Sequence, residues 1–367
     1  MNLDELRQRI DELDGDLIAL LNERTRLAME IGKLKRDQGG EIYVPTREKA
    51  VLERVASKNE GPLEDSSIRA IYREIMSASI SLERHTRIAY LGPPATFTHQ
   101  AARSRFGASV EYTSCSTVAD VFAAVQKQQT DYGVVPIENS TEGAVNPTLD
   151  ELTATPLKIY AEIFLPVCHH LMSNQELANV TKVYSHPQVF GQCRAWMAQY
   201  LPGIDMIPVS STARAAELAA AEPNAAAVAS ELAAEVHGLG ILYRDIQDQA
   251  GNTTRFLVIA RGFGPSTGDD KTSIVFAVND KVGALYEALA GFRRHELNLT
   301  KIESRPSKMK AWEYLFFVDF EGHAEDDVVR EALEVLSEHC LTMTVLGSYP
   351  RARIADQVAA SDPDVTS

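Results

Sequence analysis

The first 36 residues carry apolar side chains at steps of three and four, the spacing of one long helix with a narrow buried stripe. A helix of about 34 residues is roughly 50 Å long, so the two short helices expected before the next domain cannot cover it. The pattern therefore predicts an intertwined helical dimer in which a second copy covers the rest. The stripe consists of Leu3, Leu6, Ile10, Leu13, Leu17, Leu20, Leu27, Ile31 and Leu34.

Cations interrupt this stripe. Arg24 stands where the next apolar residue belongs, and Arg7 and Lys35 each lie one position after a stripe residue. Because an unpaired buried charge is costly, three cations along a buried stripe favour a site for a multiply charged anion. The helix alone leaves a second interpretation open, in which it is a coiled-coil dimerisation arm and Arg24 sets the register.

Composition excludes several classes of partner. A length of 367 residues allows two or three domains, and the net charge of −15 argues against nucleic acid. The four cysteines show neither a CxxC motif nor metal-ligand spacing, which favours a cytoplasmic location and gives no zinc signal. The acidic, amphipathic N-terminus does not resemble a signal peptide, and no apolar run reaches membrane-spanning length.

Two more helices are expected within residues 1–86, and both carry polar side chains on faces that continue an apolar stripe. The second helix has Arg47 and Glu48 in its first turn, and the apolar face of the third continues through Ser79 and Glu83. We expect these four side chains to share one interior with the cations of the first helix.

The segments LRQRID, LLNERTRLAMEIGKLK, YVPTREKAVLERV and REIMSASISLER resemble the all-helical chorismate mutase domain. The rearrangement of chorismate needs no base or nucleophile, only a compact conformer and stabilisation of charge on the ether oxygen. Glu83 stands where some members have glutamine, so we expect it to work protonated and mutase activity to fall as pH rises. The resemblance implies these roles: Arg7 (from the partner subunit), Arg24, Arg47 and Ser79 at the substrate carboxylates, Lys35 and Glu83 as catalytic groups at the ether oxygen, and Glu48 at the ring hydroxyl.

From residue 87 to about 262, short β-branched runs alternate with helical stretches, which predicts an α/β domain of two lobes with a cleft. An extended stretch at residues 160–171 is expected to cross to a second sheet. Polar turns follow four of the predicted strands, and one of them places Thr96 as a helix N-cap. Each turn alone also fits ordinary capping, but four in one domain favour a shared site. His169, His170 and His186 are interpreted as structural.

The segments GPPATFTHQAA, GVVPIENSTEGAV, VYSHPQVFGQCRAW and NTTRFLVI resemble prephenate dehydratase, which implies a periplasmic-binding-protein-like fold. Dehydration with decarboxylation requires a proton donor for the departing hydroxyl. By this resemblance Thr254 is the catalytic residue and Arg255 faces the substrate carboxylate. Ala95 replaces a usual glycine, so its turn either avoids positive φ or is strained. The implied prephenate-binding set is Thr96, Asn139, Ser140, Ser185, Gln192, Thr254 and Arg255.

Residues 272–350 read as strand, helix, two strands, helix and strand, the order of a ferredoxin-like sandwich. KVGALYEAL and KIESRP resemble the phenylalanine-binding ACT regulatory domain, although a purely structural dimerisation module is also open. Asp269 and Asp270 read as a linker, and residues 351–367 are expected to form a disordered tail. The implied allosteric phenylalanine site, formed across a subunit interface, comprises Gly283, Ala284, Leu285, Glu303, Ser304, Arg305 and Pro306.

Together these resemblances imply a bifunctional cytoplasmic enzyme of L-phenylalanine biosynthesis. It would convert chorismate to prephenate and prephenate to phenylpyruvate without a metal or organic cofactor, under feedback inhibition by L-phenylalanine. The expected assembly is a homodimer, or a tetramer formed from two dimers. One alternative is that the dehydratase domain prefers arogenate. Another is an amino-acid-sensing binding protein, against which the Thr254-Arg255-Phe256 triplet and the polar helix stripe both argue.

Overall fold

A computed structural model of the chain describes residues 2–37, 45–83, 85–307 and 314–352. The chain divides into two compact units. One comprises Met1–Arg87 and Arg105–Glu111, and the other comprises Ile88–Ser104 and Tyr112–Ser367. Among the described residues, no helix is both long and apolar enough to cross a membrane.

The first unit is built around one helix of 35 residues, which confirms the single long helix predicted from the apolar stripe. The third helix packs on the first, and Met76, Ser77 and Ser79 are its buried residues. The stripe is uncovered in the single chain, where its leucines and isoleucines are 46–62% exposed. The helices are α1 (Leu3–Asp37), α2 (Pro45–Ala56) and α3 (Asp65–Glu83).

The second unit begins with a lobe built on a six-stranded sheet in the order β2-β1-β3-β11-β5, with the short β4 paired to β3. Antiparallel β11 lies between β3 and β5, so the chain returns to this lobe after visiting a second one. The strands are β1 (Arg87–Leu91), β2 (Glu111–Cys115), β3 (Tyr132–Asn139), β4 (Gly143–Ala144), β5 (Lys158–Pro166) and β11 (Thr253–Ala260). The helices are α4 (Phe97–Phe106), α5 (Val118–Gln126) and α6 (Asn146–Ala154).

The second lobe has a five-stranded sheet in the order β10-β6-β9-β7-β8. The chain enters it directly from β5, as the extended stretch at residues 160–171 predicts, and leaves it between β10 and β11. Its strands are β6 (His170–Ser173), β7 (Lys182–Ser185), β8 (Asp205–Pro208), β9 (Ala225–Ala229) and β10 (Gly240–Tyr243). Its helices are a 3₁₀ turn (Leu177–Asn179), α7 (Pro187–Gln192), α8 (Arg194–Tyr200), α9 (Thr212–Ala221) and α10 (Glu231–His237).

The C-terminal part has the predicted strand and helix order, with its four strands arranged β13-β14-β12-β15. Its core shares residues with the first lobe, since Val275, Phe317 and Leu346 pack with Val135 and Leu257. The two parts therefore share a hydrophobic core. The elements are β12 (Asp270–Val278), α11 (Ala284–Arg294), β13 (Leu299–Pro306), β14 (Tyr314–Glu321), α12 (Asp327–Glu338) and β15 (Cys340–Pro350).

The first and last strands of this part, β12 and β15, are longer than predicted. Asp270, read from the sequence as linker, is buried at the start of β12, and its carboxylate accepts hydrogen bonds from the backbone of Thr267 and Gly268. The extended end of β15 lies against β5, where a Cβ on Gly347 would be 2.2 Å from the carbonyl oxygen of Ile159.

At the start of the predicted disordered tail, Arg351 pairs with Asp269 and Glu321, and the backbone N–H of Ala352 donates to Glu162. The remainder of that segment, residues 353–367, lies outside the described residues.

Candidate functional site

Arg24 and Ser79 meet in the helical unit. Arg24 Nη1 donates to Ser79 Oγ at 2.9 Å, and the buried Ser79 hydroxyl donates in turn to the carbonyl of Ile75. The arginine that interrupts the stripe of α1 and the serine that continues the apolar face of α3 therefore lie in one place, as the sequence predicts.

Two carboxylates lie on the inner side of this unit. Glu83 packs over Gly32 of α1, where an added Cβ would be 2.8 Å from Glu83 Oε2. Glu48 is buried, and its Oε2 is 3.2 Å from Nη2 of Arg105, a residue of the same unit. The sequence did not single out Gly32 or Arg105. A lone glycine inside a strong helix pattern is the signal for a close approach, whereas nothing local marks Arg105.

Of the other predicted chorismate residues, Arg7 and Arg47 are exposed. Arg7 is exposed and lies 3.8 Å from Asp4, at a position about 25 Å along the helix axis from Arg24. At that separation Arg7 cannot share a site with Arg24 of the same chain. Arg47 is exposed at the start of α2, and the side chain of Lys35 lies outside the described residues.

Asn139 and Thr254 form the centre of the second group. They are register partners on β3 and β11, and Asn139 Nδ2 lies 2.8 Å from both Thr254 Oγ1 and Asn252 Oδ1. Asn139 Oδ1 accepts from the backbone N–H groups of Thr141 and Glu142. These two donors fix the orientation of the amide, so Thr254 Oγ1 must be the acceptor and its own proton is left to donate.

A pocket of about 230 Å³ opens beside this pair, between the two lobes. From the first lobe it is lined by Thr141 and Asn252, and Ser140 adjoins through a 3.0 Å bond from Thr253 N to its Oγ. From the second lobe the lining comes from Gly191, Gln192 and residues 247–249. The lobes thus enclose a cleft at the end of β3 and β11, as the polar turns predict.

His169 supports the second wall of this pocket. Its Nε2 lies 2.8 Å from Gln192 Oε1, and its backbone N–H donates to Gln247 Oε1. Burial lowers the pKa of His169, so the ring is neutral and Nε2 is the donor to Gln192. The histidine is buried and orients two pocket amides, which agrees with the structural interpretation made from the sequence.

Thr96 is the N-cap of α4, as predicted. Its Oγ1 accepts from His99 N–H at 3.4 Å and donates to the carbonyl of Leu91 at 3.1 Å. Ala95 adopts φ +66°, so the turn is strained at the position where the family usually has glycine. Its N–H donates to Nδ1 of His99, and burial lowers the pKa of that histidine to about 4, which keeps Nδ1 an acceptor.

Two predicted prephenate residues lie outside the cleft, and the prediction that Arg255 faces the substrate carboxylate is wrong. Side chains alternate along a strand, so Arg255 points to the face opposite Thr254, where its guanidinium binds Glu162, Asp319 and Tyr349. Ser185 is fully buried, and its Oγ donates to the carbonyl of Val228 on the neighbouring strand. Both side chains make their hydrogen bonds inside the fold, because buried groups able to bond to them lie next to them.

The two predicted phenylalanine-binding segments lie at one end of the C-terminal sheet. Gly283 has φ +82° and starts α11, leading into Ala284 and Leu285. Arg305 and Ala277 both pair with Leu315, so β14 separates the segments by about 10 Å, two strand spacings.

The residues of β13 do not share one face. Glu303 and Arg305 are half-buried, whereas Ser304 and Pro306 are exposed on the opposite side. Arg305 Nη1 lies 2.9 Å from Asp150 Oδ1 and donates to the carbonyl of Asn146. Among the described residues, no cluster of histidine, cysteine and acidic side chains could hold a metal ion.

The fold and the two polar groups define a multidomain enzyme with a helical mutase region, a two-lobed lyase domain and an ACT domain. Family models match each part in turn: chorismate mutase type II at residues 6–84, prephenate dehydratase at residues 88–263 and the ACT domain at residues 272–338. The chain belongs to the bifunctional chorismate mutase/prephenate dehydratase family. The predicted fold classes of the three parts and both enzyme classes are confirmed.

The bifunctional enzyme of this name from Aquifex aeolicus is 50% identical over 359 residues, covering 96% of this chain and 99% of its own. The structure of prephenate dehydratase from Arthrobacter aurescens in complex with L-Phe matches with a TM-score of 0.66 and 35% identity, over 77% of this chain and 93% of that one. The quorum-quenching acylase GqqA matches with a TM-score of 0.67 and 32% identity, over 73% and 99%.

Proposed function

We propose that this chain rearranges chorismate at the group around Arg24 and Ser79, and dehydrates and decarboxylates prephenate in the cleft beside Asn139 and Thr254. The observation that carries the second assignment is the hydrogen bond from Asn139 to Thr254. A hydroxyl that already accepts a hydrogen bond is polarised and becomes a better donor. Thr254 is therefore set to donate to an oxygen rather than to receive a proton.

In the dehydratase reaction, the electron pair of the carbon–carboxylate bond moves into the ring, carbon dioxide departs and the ring hydroxyl leaves with its bonding electrons. Negative charge grows on the departing oxygen, and the proton of Thr254 stabilises it there. The polarised hydroxyl suits this role as a hydrogen-bond donor, and the departing hydroxide takes up a proton from the solvent to leave as water.

Among the described residues, none of those that line the pocket is a lysine or an arginine. We assign recognition of the substrate to the neutral donors of Gln192, Gln247, Gln249 and Asn252. A cation bound to the carboxylate that is lost would stabilise its charge in the ground state and oppose the loss of that charge as carbon dioxide forms. Neutral donors avoid this, which fits the burial of Arg255 on the other face of the sheet.

For the mutase we propose a site shared between two copies. The exposed leucines of α1 need a covering surface, and Arg7 lies too far from Arg24 to act within its own chain. Two α1 helices that cover each other's stripes would supply Arg7 of one copy to the Arg24 group of the other. A homodimer, or a tetramer built from it, follows, and the four free cysteines suit a reducing cytoplasm.

For regulation we propose that L-phenylalanine binds at the start of α11 and the end of β13. The Arthrobacter aurescens relative, whose structure is a complex with L-Phe, supports L-phenylalanine as the effector. The gap of about 10 Å between the two segments in one chain suits a site completed by the facing strand of a second copy. Inhibition of phenylpyruvate formation by L-phenylalanine tests it directly.

The test of both sites offers the full-length protein chorismate, prephenate or arogenate, with and without L-phenylalanine, and measures phenylpyruvate and phenylalanine. We expect prephenate to be used in preference to arogenate. Thr254→Ala should abolish dehydration and leave the mutase intact, and Thr254→Ser should restore much of the dehydration. A serine variant as inactive as the alanine variant would show that the hydroxyl is not the operative group.

A further inference from the structure

Each pair of register partners on β3 and β11 is one rung of the sheet, and the rung next to the Asn139–Thr254 pair is held by the ACT domain. Glu138 and Arg255 are register partners on β3 and β11, one residue away from Asn139 and Thr254. Because side chains alternate, Glu138 and Arg255 point to the opposite face of the sheet. On that face, Lys301 of β13 binds Glu138 at 2.6 Å, and Asp319 of β14 binds Arg255 at 2.5 Å.

Every donor and acceptor around Arg255 has a defined direction. Arg255 donates to Glu162, Asp319 and the phenol oxygen of Tyr349. Ser273 donates to Asp319, so the 2.6 Å contact between Ser273 and Tyr349 must carry the proton of Tyr349. The result is a closed circuit of hydrogen bonds through Arg255, Tyr349, Ser273 and Asp319, in which Arg255 comes from the dehydratase lobe. Glu162, also of that lobe, accepts from Arg255 outside the circuit.

The cluster is also balanced in charge. Arg255 and Lys271 face Glu162 and Asp319, and all four side chains are buried. Burial alone would raise the pKa of Asp319, but the Arg255 guanidinium offsets this and holds that pKa below its ordinary value. A buried guanidinium that loses its carboxylate must move or draw in water, and any backbone shift at Arg255 also shifts the neighbouring Thr254.

We propose that Asp319 and Lys301 of the ACT domain are positioning residues for the dehydratase reaction. They hold the Glu138–Arg255 rung and thereby set the distance between Asn139 and Thr254 on the other face. The ACT sheet is then a structural part of the dehydratase site as well as the site of the effector. This inference rests on the roles proposed above for Asn139 and Thr254.

The test compares two ion pairs that join the same two domains with nearly equal exposure. The side chains of Lys301 and Glu138 are 14% and 38% exposed, and those of Arg305 and Asp150 are 12% and 40% exposed. Only the first pair adjoins the Asn139–Thr254 rung. Lys301→Gln is therefore the test variant and Asp150→Asn is its matched control.

We expect Lys301→Gln to lower kcat for prephenate about tenfold with KM within about twofold, because small misplacements of reacting groups lower rates steeply. Asp150→Asn should stay within about twofold of the parent in both constants, since it disturbs no reacting group. The charge-reversed double variant Glu138→Lys/Lys301→Glu should recover most of the lost kcat. Asp319→Asn should lower kcat further, and if it does not fold by circular dichroism, Lys301→Gln decides alone.

The proposal is overturned if Lys301→Gln and Asp150→Asn behave alike, if the loss lies in KM instead of kcat, or if the double variant recovers nothing. Thr254→Ala in the same assay separates this result from the assignment of the site. Full dehydratase activity of Thr254→Ala would refute the assignment of the dehydratase site itself. If Thr254→Ala loses dehydratase activity while Lys301→Gln keeps the parental kcat, only the positioning role is refuted.

Discussion

Replacing Asn139 with aspartate should abolish most dehydratase activity although the two side chains have nearly the same size and shape. In the parent, Oδ1 of Asn139 accepts two backbone N–H groups and the amide nitrogen donates to Asn252 and Thr254. Aspartate keeps the two acceptor contacts but has no proton to give. Thr254 must then donate its proton to the new carboxylate, which withdraws it from the substrate.

The magnitude follows from the loss of one donor to an oxygen that gains charge. Losses of this kind lower kcat by about 10²–10³, or about 2.7–4 kcal/mol of barrier. Asn139→Ala removes the bond that polarises Thr254 and loosens the turn at Thr141 and Glu142, but it leaves the hydroxyl of Thr254 free to donate. We therefore expect the order of kcat to be parent, then alanine, then aspartate.

The assay measures phenylpyruvate formation from prephenate, with chorismate consumption by the same preparations as the internal control. The mutase should be unchanged in both Asn139 variants, because the Arg24 and Ser79 group shares no residue with the cleft. The direction of the hydrogen bond would be wrong if Asn139→Asp were more active than Asn139→Ala, or stayed within about threefold of the parent.

Three further predictions test the helical unit and the packing of the ACT domain. Glu83→Gln should flatten the fall of mutase activity with rising pH, and an unchanged profile would discard the protonated carboxyl. Mixing inactive Arg7→Ala and Arg24→Ala chains should restore about a quarter of parental mutase activity. Half of the dimers would contain one chain of each kind, and each of these would hold one intact site of its two. No recovery of activity would show that Arg7 does not act in the partner's site. Gly347→Ala should lower the free energy of unfolding by about 1–3 kcal/mol in urea titrations, because its Cβ would overlap the carbonyl of Ile159, and parental stability would refute that contact.

Local patterns predicted the elements well where the pattern has one physical cause. The three- and four-residue steps of α1 predict a single helix whatever covers it, and the N-cap role of Thr96 depends only on residues up to His99. The strand and helix order of the ACT domain is equally local. Residues 136–143 and 252–256 were correctly predicted to meet because polar turns at strand ends gather at one edge of a sheet.

The failures share one cause, which is that their partners are distant in sequence. Arg255 was expected to face the substrate because the resemblance to prephenate dehydratase implied it, and nothing nearby in the sequence shows that Glu162, Asp319 and Tyr349 surround it. The start of β12 was read as linker for the same reason. Its polar side chains would normally mark exposed chain, whereas Lys271 is buried here because it binds Glu162.

The sequence by itself determined the order of three domains, the long helix with its interrupted stripe and the identity of the polar residues at the ends of β3 and β11. These depend on periodicity, capping and chain order, which are local properties. Only the tertiary structure decided which face of a strand each polar residue uses, and so separated Thr254 in the cleft from Arg255 in the ACT interface. The physical reason is that a buried charged side chain must point toward the groups that neutralise it, and those groups come together only when the sheets pack.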